Sequence, residues 1–154
     1  MTRFDDLTAG LRLPAIAAPM TQISTPELVA EACAAGIVGA FPTSNARSIA
    51  QLDEWFDQVE ARRAALDAPH QPGPVAANLI VGKQNKRLDD DVACVVRRRP
   101  QFVITSVGSP APVVGPLQEA GCLVLADIAS EVHAHKALAA GVDGLVLLSA
   151  GAGG

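Results

Sequence analysis

Tyrosine is absent from this chain, and aromatic residues together make up only 3% of its 154 residues. The apolar content is carried by small aliphatic side chains: 49% of the chain is hydrophobic, much of it Ala and Val. That composition suits closely packed strands and helices and excludes a disordered or fibrous chain. Positive charge is also scarce. Twelve Lys and Arg face 16 Asp and Glu, a formal charge of -4, which leaves no electrostatic footprint for nucleic acid. The one basic run, Arg97–Arg98–Arg99, ends an expected helix, where cations are favoured. No apolar stretch approaches 18 residues without Pro, Gly or charge, so no membrane span is expected. The three cysteines, Cys33, Cys94 and Cys122, are far apart among apolar neighbours, without CxxC or metal-ligand spacing. Their odd number, with no signal peptide at the start, points to buried thiols in a reducing cytoplasm.

What is present is a recurring unit: a short apolar run, a loop, then a longer amphipathic stretch. Leu13–Pro19, Ile37–Phe41, Pro74–Val81, Phe102–Thr105, Cys122–Ala126 and Asp143–Leu148 read as strands. Between them, Pro26–Ala35, Ser48–Leu66, a segment within Gln84–Arg98, Ala111–Ala120 and Glu131–Ala140 read as helices. Ser24 or Thr25 can cap the first of these helices and Ser130 the last, while Gly36, Gly121 and Gly141 suit helix ends. In the third, Leu88, Val92, Val95 and Val96 follow the 3.6-residue period. Strict alternation means parallel strands joined by right-handed crossovers. The strands are nearly continuous apolar runs, as expected for a sheet buried on both faces.

An open doubly wound sheet and part of a barrel both fit. The first strand is followed by Met20–Thr21–Gln22–Ile23–Ser24, without the glycines of a dinucleotide-binding turn. The glycine cluster comes late, after strand six, which favours the barrel. A (β/α)₈ barrel needs eight strands and about 250 residues. The expected fold is therefore a TIM barrel of which residues 1–154 supply strands one to six, with the remainder of the barrel lying outside this chain.

Ligands of α/β folds sit beyond the C-terminal ends of the strands. That rule selects Met20 and Thr21, Thr43–Asn45, Asn78, Thr105–Ser109, Asp127 and Ser149–Gly154. Asn78 is a polar amide in a strand of small apolar residues and must find partners, either a heterocycle edge or a neighbouring loop. The Met20 thioether can pack on an aromatic ring or plug the core. Asp127 can serve a ligand or anchor a loop. The backbone N–H groups of Gly151, Gly153 and Gly154 can form a phosphate nest, or simply a βα turn. His133 and His135 are two apart in a helix and face different directions, so they make no metal pair, and His70 lies in a Pro-rich loop. His133, in the first turn, is the nearer to the ligand face and a weak catalytic candidate. Asp89–Asp90–Asp91 is expected to be a solvated helix face. No Ser-His-Asp set, nucleophile elbow or paired carboxylates are evident, so any difficult chemistry falls to a cofactor.

The stretch LPAIAAPMTQISTPELVAEACAAGIVGAFPT resembles the opening of the nitronate monooxygenase (2-nitropropane dioxygenase) family. PVAANLIV, FVITSVGSP and LVLADIASEVHAHKALAAGVDGLVLLSAGAGG resemble its third, fourth and fifth-to-sixth strand regions. The resemblance implies a TIM barrel that holds FMN without a covalent link and oxidises alkyl nitronates with molecular oxygen. It implies that Met20 and Thr21 meet the isoalloxazine ring, with Asn78 beside it and Asp127 near the ring or ribityl chain. Gly151, Gly153 and Gly154 would follow the ribityl–phosphate end. The family's proposed base is a His immediately after the position of Gly154. Many members carry Lys where this chain has Asp127, and an aspartate does not stabilise an anionic reduced flavin as a lysine would. The expected partners are thus FMN, a small-molecule substrate, oxygen and the rest of the barrel, with no nucleic acid or membrane and with a homodimer left open. Two alternatives stand beside nitronate oxidation: an FMN- and NAD(P)H-dependent enoyl reductase-like enzyme, and a truncated barrel without catalysis.

Overall fold

The structure is a computed structural model that describes residues 3–65 and 71–150. Its elements are α1 (Arg3–Thr8), β1 (Ile16–Ala17), α2 (Pro26–Ala34), β2 (Val38–Pro42), a 3₁₀ turn (Thr43–Asn45), α3 (Ile49–Ala65) and β3 (Val75–Ile80). There follow α4 (Leu88–Arg98), β4 (Phe102–Ser106), α5 (Ala111–Glu119), β5 (Leu123–Ile128), α6 (Glu131–Ala139) and β6 (Gly144–Leu147). The alternation expected from the apolar runs is present, although β1 covers only two residues of the Leu13–Pro19 run. Helix α1 carries no signal in that pattern.

All six strands are parallel and lie side by side in chain order. A doubly wound sheet reverses its strand order at a switch point. Here there is no reversal, and the sheet is curled, open and barrel-like. Each right-handed crossover therefore lays its helix on the same face.

Side-chain alternation along the strands separates two apolar layers. Phe41, Ala77, Leu79, Val103 and Val124 point outward into the larger core, where they meet Val29, Leu52, Val95 and Leu117 of the helices. Burying each such Leu, Val or Phe contributes about 1.5–3 kcal/mol. Val38, Ala40, Ala76, Phe102, Ile104, Leu123 and Leu125 point the other way and form the concave layer. Leu7 and Leu11 pack on that layer from the N-terminal end of the strands, and Phe4 meets Phe102 edge to face at 5.9 Å. Helix α1 thus covers the bottom of the curl.

Local chemistry explains the boundaries. Thr25 and Ser130 cap α2 and α6 by accepting from Leu28 N and His133 N. Gly36, Gly121 and Gly141 take positive φ values of 81°, 95° and 84° just past α2, α5 and α6. Gly39 is required by close packing: a Cβ there would meet the Val29 carbonyl and the Cys33 sulfur of α2. All three cysteines are buried, and burial pushes the thiol of Cys33 up. Arg97 and Arg98 do more than complement a helix end. They reach across to α3, where Arg98 pairs with Asp53 and Asp57, and Arg97 with Asp53. Hydrogen bonds from Arg98, then Arg97, hold the Asp53 carboxyl well below the usual carboxylate range.

The acidic run Asp89–Asp90–Asp91 requires a correction. Asp89 and Asp90 are exposed, but Asp91 is 1% exposed and pairs with Arg87. Helix α4 buries one face against the sheet, and the third Asp falls on that face. No helix among the described residues is long and apolar enough to cross a membrane.

Candidate functional site at the C-terminal mouth of the sheet

The strand C-termini gather the loops after β1, β2, β3, β4 and β5 at one end. The first of these carries Met20. Its carbonyl accepts from Ser24 N at 3.0 Å and Ile23 N at 3.3 Å, and its N–H donates to Ser24 Oγ at 3.0 Å. The turn needs a left-handed residue, which is Gln22 at φ 64°. Asn45, in the turn after β2, clamps this loop from the next unit. Its Nδ2 donates to Met20 O at 3.0 Å and Ser24 O at 3.1 Å, while its Oδ1 accepts from Gln22 N at 2.9 Å. Met20 is consequently half-buried in a fixed turn, and Thr21 is exposed beside it.

The turn holding Asn45 is itself anchored. Arg87 Nη2 donates to Thr43 O at 2.9 Å and Nη1 to Ala46 O at 2.8 Å. Its Nε meets Asp91 Oδ1 at 2.9 Å, and Asp91 Oδ2 accepts from Thr43 Oγ1 at 3.2 Å and Asn85 Nδ2 at 3.3 Å. An ion pair between buried Asp91 and half-buried Arg87, with both partners hydrogen-bonded, thus ties the loops after β2 and β3 together.

Asn78 lies on the concave face of β3, opposite Ile104 of β4. Its Nδ2 donates to Ile104 O at 3.0 Å and to Ser106 Oγ at 2.6 Å. Ser106 Oγ in turn donates to Asp127 Oδ2 at 2.5 Å. Ser106 and Asp127 each follow the paired residues Thr105 and Ala126, so they are neighbours on the concave face. The result is a polar row across β3, β4 and β5, set above the apolar layer of Ile104 and Leu125. Ser106 is buried, and Asp127 is half-buried. The sequence singles out Asn78 and Asp127 individually and reaches Ser106 only as part of the Thr105–Ser109 segment, because the bridge depends on cross-strand register. The next residue, Val107, has φ 58°, a costly conformation for a β-branched side chain.

His133 is brought close to this end but not into the row. It is exposed on the first turn of α6 and lines a cleft of about 420 Å³ together with Val107, Pro110, Asp127, Lys136 and Leu148. A smaller cavity of about 220 Å³, lined by Leu7, Arg63 and Gln101 among others, lies at the opposite, N-terminal end of the strands. His70, Gly151, Gly153 and Gly154 lie outside the described residues. Among the described residues, no group of three His, Cys, Asp or Glu side chains could hold a metal ion.

Solved structures share this architecture. FabK from Thermotoga maritima superposes with a TM-score of 0.77 at 25% identity, over 94% of this chain and 43% of that one. A point variant of it gives 0.78 and 25%, over 94% and 45%. Nitroalkane oxidase from Streptomyces ansochromogenes gives 0.77 at 19% identity, over 94% of this chain and 47% of that one. The chain therefore spans less than half the length of the solved structures it matches. No family profile and no curated protein matches it. The fold is related to that of FabK and nitroalkane oxidase.

Proposed function

We propose that these residues are the first six βα units of a flavin-dependent oxidoreductase barrel that oxidises alkyl nitronates with molecular oxygen. The carrying observation is the hydrogen-bonded row Asn78–Ser106–Asp127 at the C-terminal mouth, on a fold shared with a nitroalkane oxidase. Two further βα units, beyond the residues described, would complete the barrel.

FMN suits the donors and acceptors at this mouth. Asn78 spends its amide hydrogens on Ile104 and Ser106, and its Oδ1 has no partner among the described residues. An acceptor of this kind, on a buried residue but open to the mouth, fits the N–H of a heterocycle. The Met20 turn, fixed by Asn45, offers a thioether and backbone groups to a ring. Ile104 and Leu125 supply an apolar floor that excludes water below the row. Gly151, Gly153 and Gly154 would carry the phosphate end. When bound, FMN supplies the electron transfer from substrate to oxygen. The chain's contribution is to hold ring and substrate in register. The proton-abstracting His is expected just past Gly154, and His133, exposed at the rim, is the weaker candidate.

The test is an oxygen electrode trace on the purified complete protein, after its visible spectrum has been recorded. Bound flavin and nitronate-dependent oxygen uptake are expected. A colourless protein that takes up no FMN overturns the flavin reading. A flavin-loaded protein without nitronate turnover overturns the substrate alone. Asp127, at the position where many members of the resembled family carry Lys, supports nitronate oxidation less than flavin binding, and the second reading is an FMN- and NAD(P)H-dependent enoyl reductase. Rapid bleaching of the flavin by NADH or NADPH, without nitronate turnover, selects that reading.

A further inference from the structure

The direction of each hydrogen bond in the polar row follows from the donors available. A carboxylate only accepts, so the Ser106 hydroxyl hydrogen goes to Asp127 Oδ2. The lone pairs of Ser106 Oγ then face Asn78 Nδ2 at 2.6 Å, and the second amide hydrogen goes to Ile104 O at 3.0 Å. Turning the Asn78 amide over would set its carbonyl oxygen against two acceptors, Ile104 O and a hydroxyl whose hydrogen is already used. In a buried site such contacts exclude the turned-over state. Asn78 Oδ1 is left without a partner among the described residues, on a side chain only 7% exposed.

We infer that Ser106 is a positioning residue: it transmits the acceptor character of Asp127 to Asn78 and locks the amide so that its oxygen, never its NH₂, faces the mouth. The edge of the ligand that meets Asn78 must then be a hydrogen-bond donor. This inference rests on the flavin reading, because the oxidised isoalloxazine ring carries one N–H, that of its imide. The strained Val107 directly after Ser106 supports it: a β-branched residue is kept at φ 58° where the chain leaves the row. Strain of this kind persists where the surroundings over-determine a geometry.

The experiment is a fluorescence titration of the complete protein, freed of bound flavin, with FMN and with FMN methylated at the imide nitrogen. Wild-type protein is expected to prefer FMN at least tenfold. Ser106→Ala removes one of the two acceptors that orient the amide and leaves only Ile104 O to hold it, so the preference falls below threefold, while Ser106→Thr keeps the hydroxyl and restores it. Should Ser106→Ala fail to fold, Asp127→Asn reads the same point. Its amide can donate to Ser106, which frees the hydroxyl hydrogen for Asn78, and the preference is again lost. Wild-type protein that binds neither flavin overturns the flavin reading. Wild-type protein that binds both equally, or a Ser106→Ala or Asp127→Asn variant that keeps the full preference, overturns the positioning role alone.

Discussion

Arg87 Nε lies 2.9 Å from Asp91 Oδ1 at the start of α4, and the Asp91 side chain is 1% exposed. A buried carboxylate without its cation is far costlier than the pair. The pair also holds the turn that carries Asn45, so fold stability and the geometry of the Met20 loop share one anchor.

Removing the Asp91 carboxylate is expected to destabilise strongly. Asp91→Ala leaves Arg87, Thr43 and Asn85 with missing partners and should cost about 3–4 kcal/mol. Asp90→Ala, on the exposed side of the same run, should stay within about 0.5 kcal/mol of the parent. Urea unfolding of the two variants checks the contrast, and equal effects would refute the anchor.

This difference between neighbouring aspartates shows what is and is not legible in the chain. The alternation of apolar runs and amphipathic stretches is local, so strand and helix order can be read directly. Caps and terminators such as Thr25, Ser130 and Gly141 are local too. Asn78 stands out because an amide in an apolar strand needs partners. Which of three aspartates is buried depends on the angle at which α4 meets the sheet. Ser106 becomes a bridge only once β3, β4 and β5 are in register. Helix α1 is held by the concave face of distant strands, for which its own six residues give no periodic signal.

Asn45 links the loops after β1 and β2 by three hydrogen bonds. Asn45→Ala should lose about 1–3 kcal/mol of stability. On the flavin reading it should also weaken FMN binding about tenfold, the equivalent of about 1.4 kcal/mol spent on ordering a loosened turn. Fluorescence titration measures this directly. Glu54→Ala, on the exposed face of α3, should leave the affinity unchanged.

Alkaline pH should unfold the protein through its thiols. Burial first, then the hydrogen bond and charge of Asp53, pushes the Cys94 thiol up to about 11. In an unfolded chain a thiol titrates at about 8.5. Between these values the unfolded chain releases a proton that the folded one keeps. The folded state then binds more protons, so stability falls as pH rises. The contribution is intact below about pH 8 and lost progressively towards pH 11. With no tyrosine in the chain, few other groups cloud this range. Urea midpoints from pH 8 to 11 should decline, and Cys94→Ser, which keeps a donor for Asp53 but does not titrate, should flatten the slope.

The outer strands lead to the last expectation. Within the described sheet, β1 pairs only with β2 and β6 only with β5. Ile16 is 40% exposed on one side, and Leu147 and Leu148 are 71% and 44% exposed on the other. Unpaired strand groups beside apolar side chains recruit further strands. A polypeptide of residues 1–154 alone should therefore self-associate in sedimentation velocity runs and bind FMN far below one equivalent. On the proposed reading, a barrel closed by two more strands between β6 and β1 should sediment as a discrete species and bind one. A monodisperse monomer of residues 1–154 carrying a full equivalent of FMN would mean that these strands shield their own edges, and ring closure would then be unnecessary for the site.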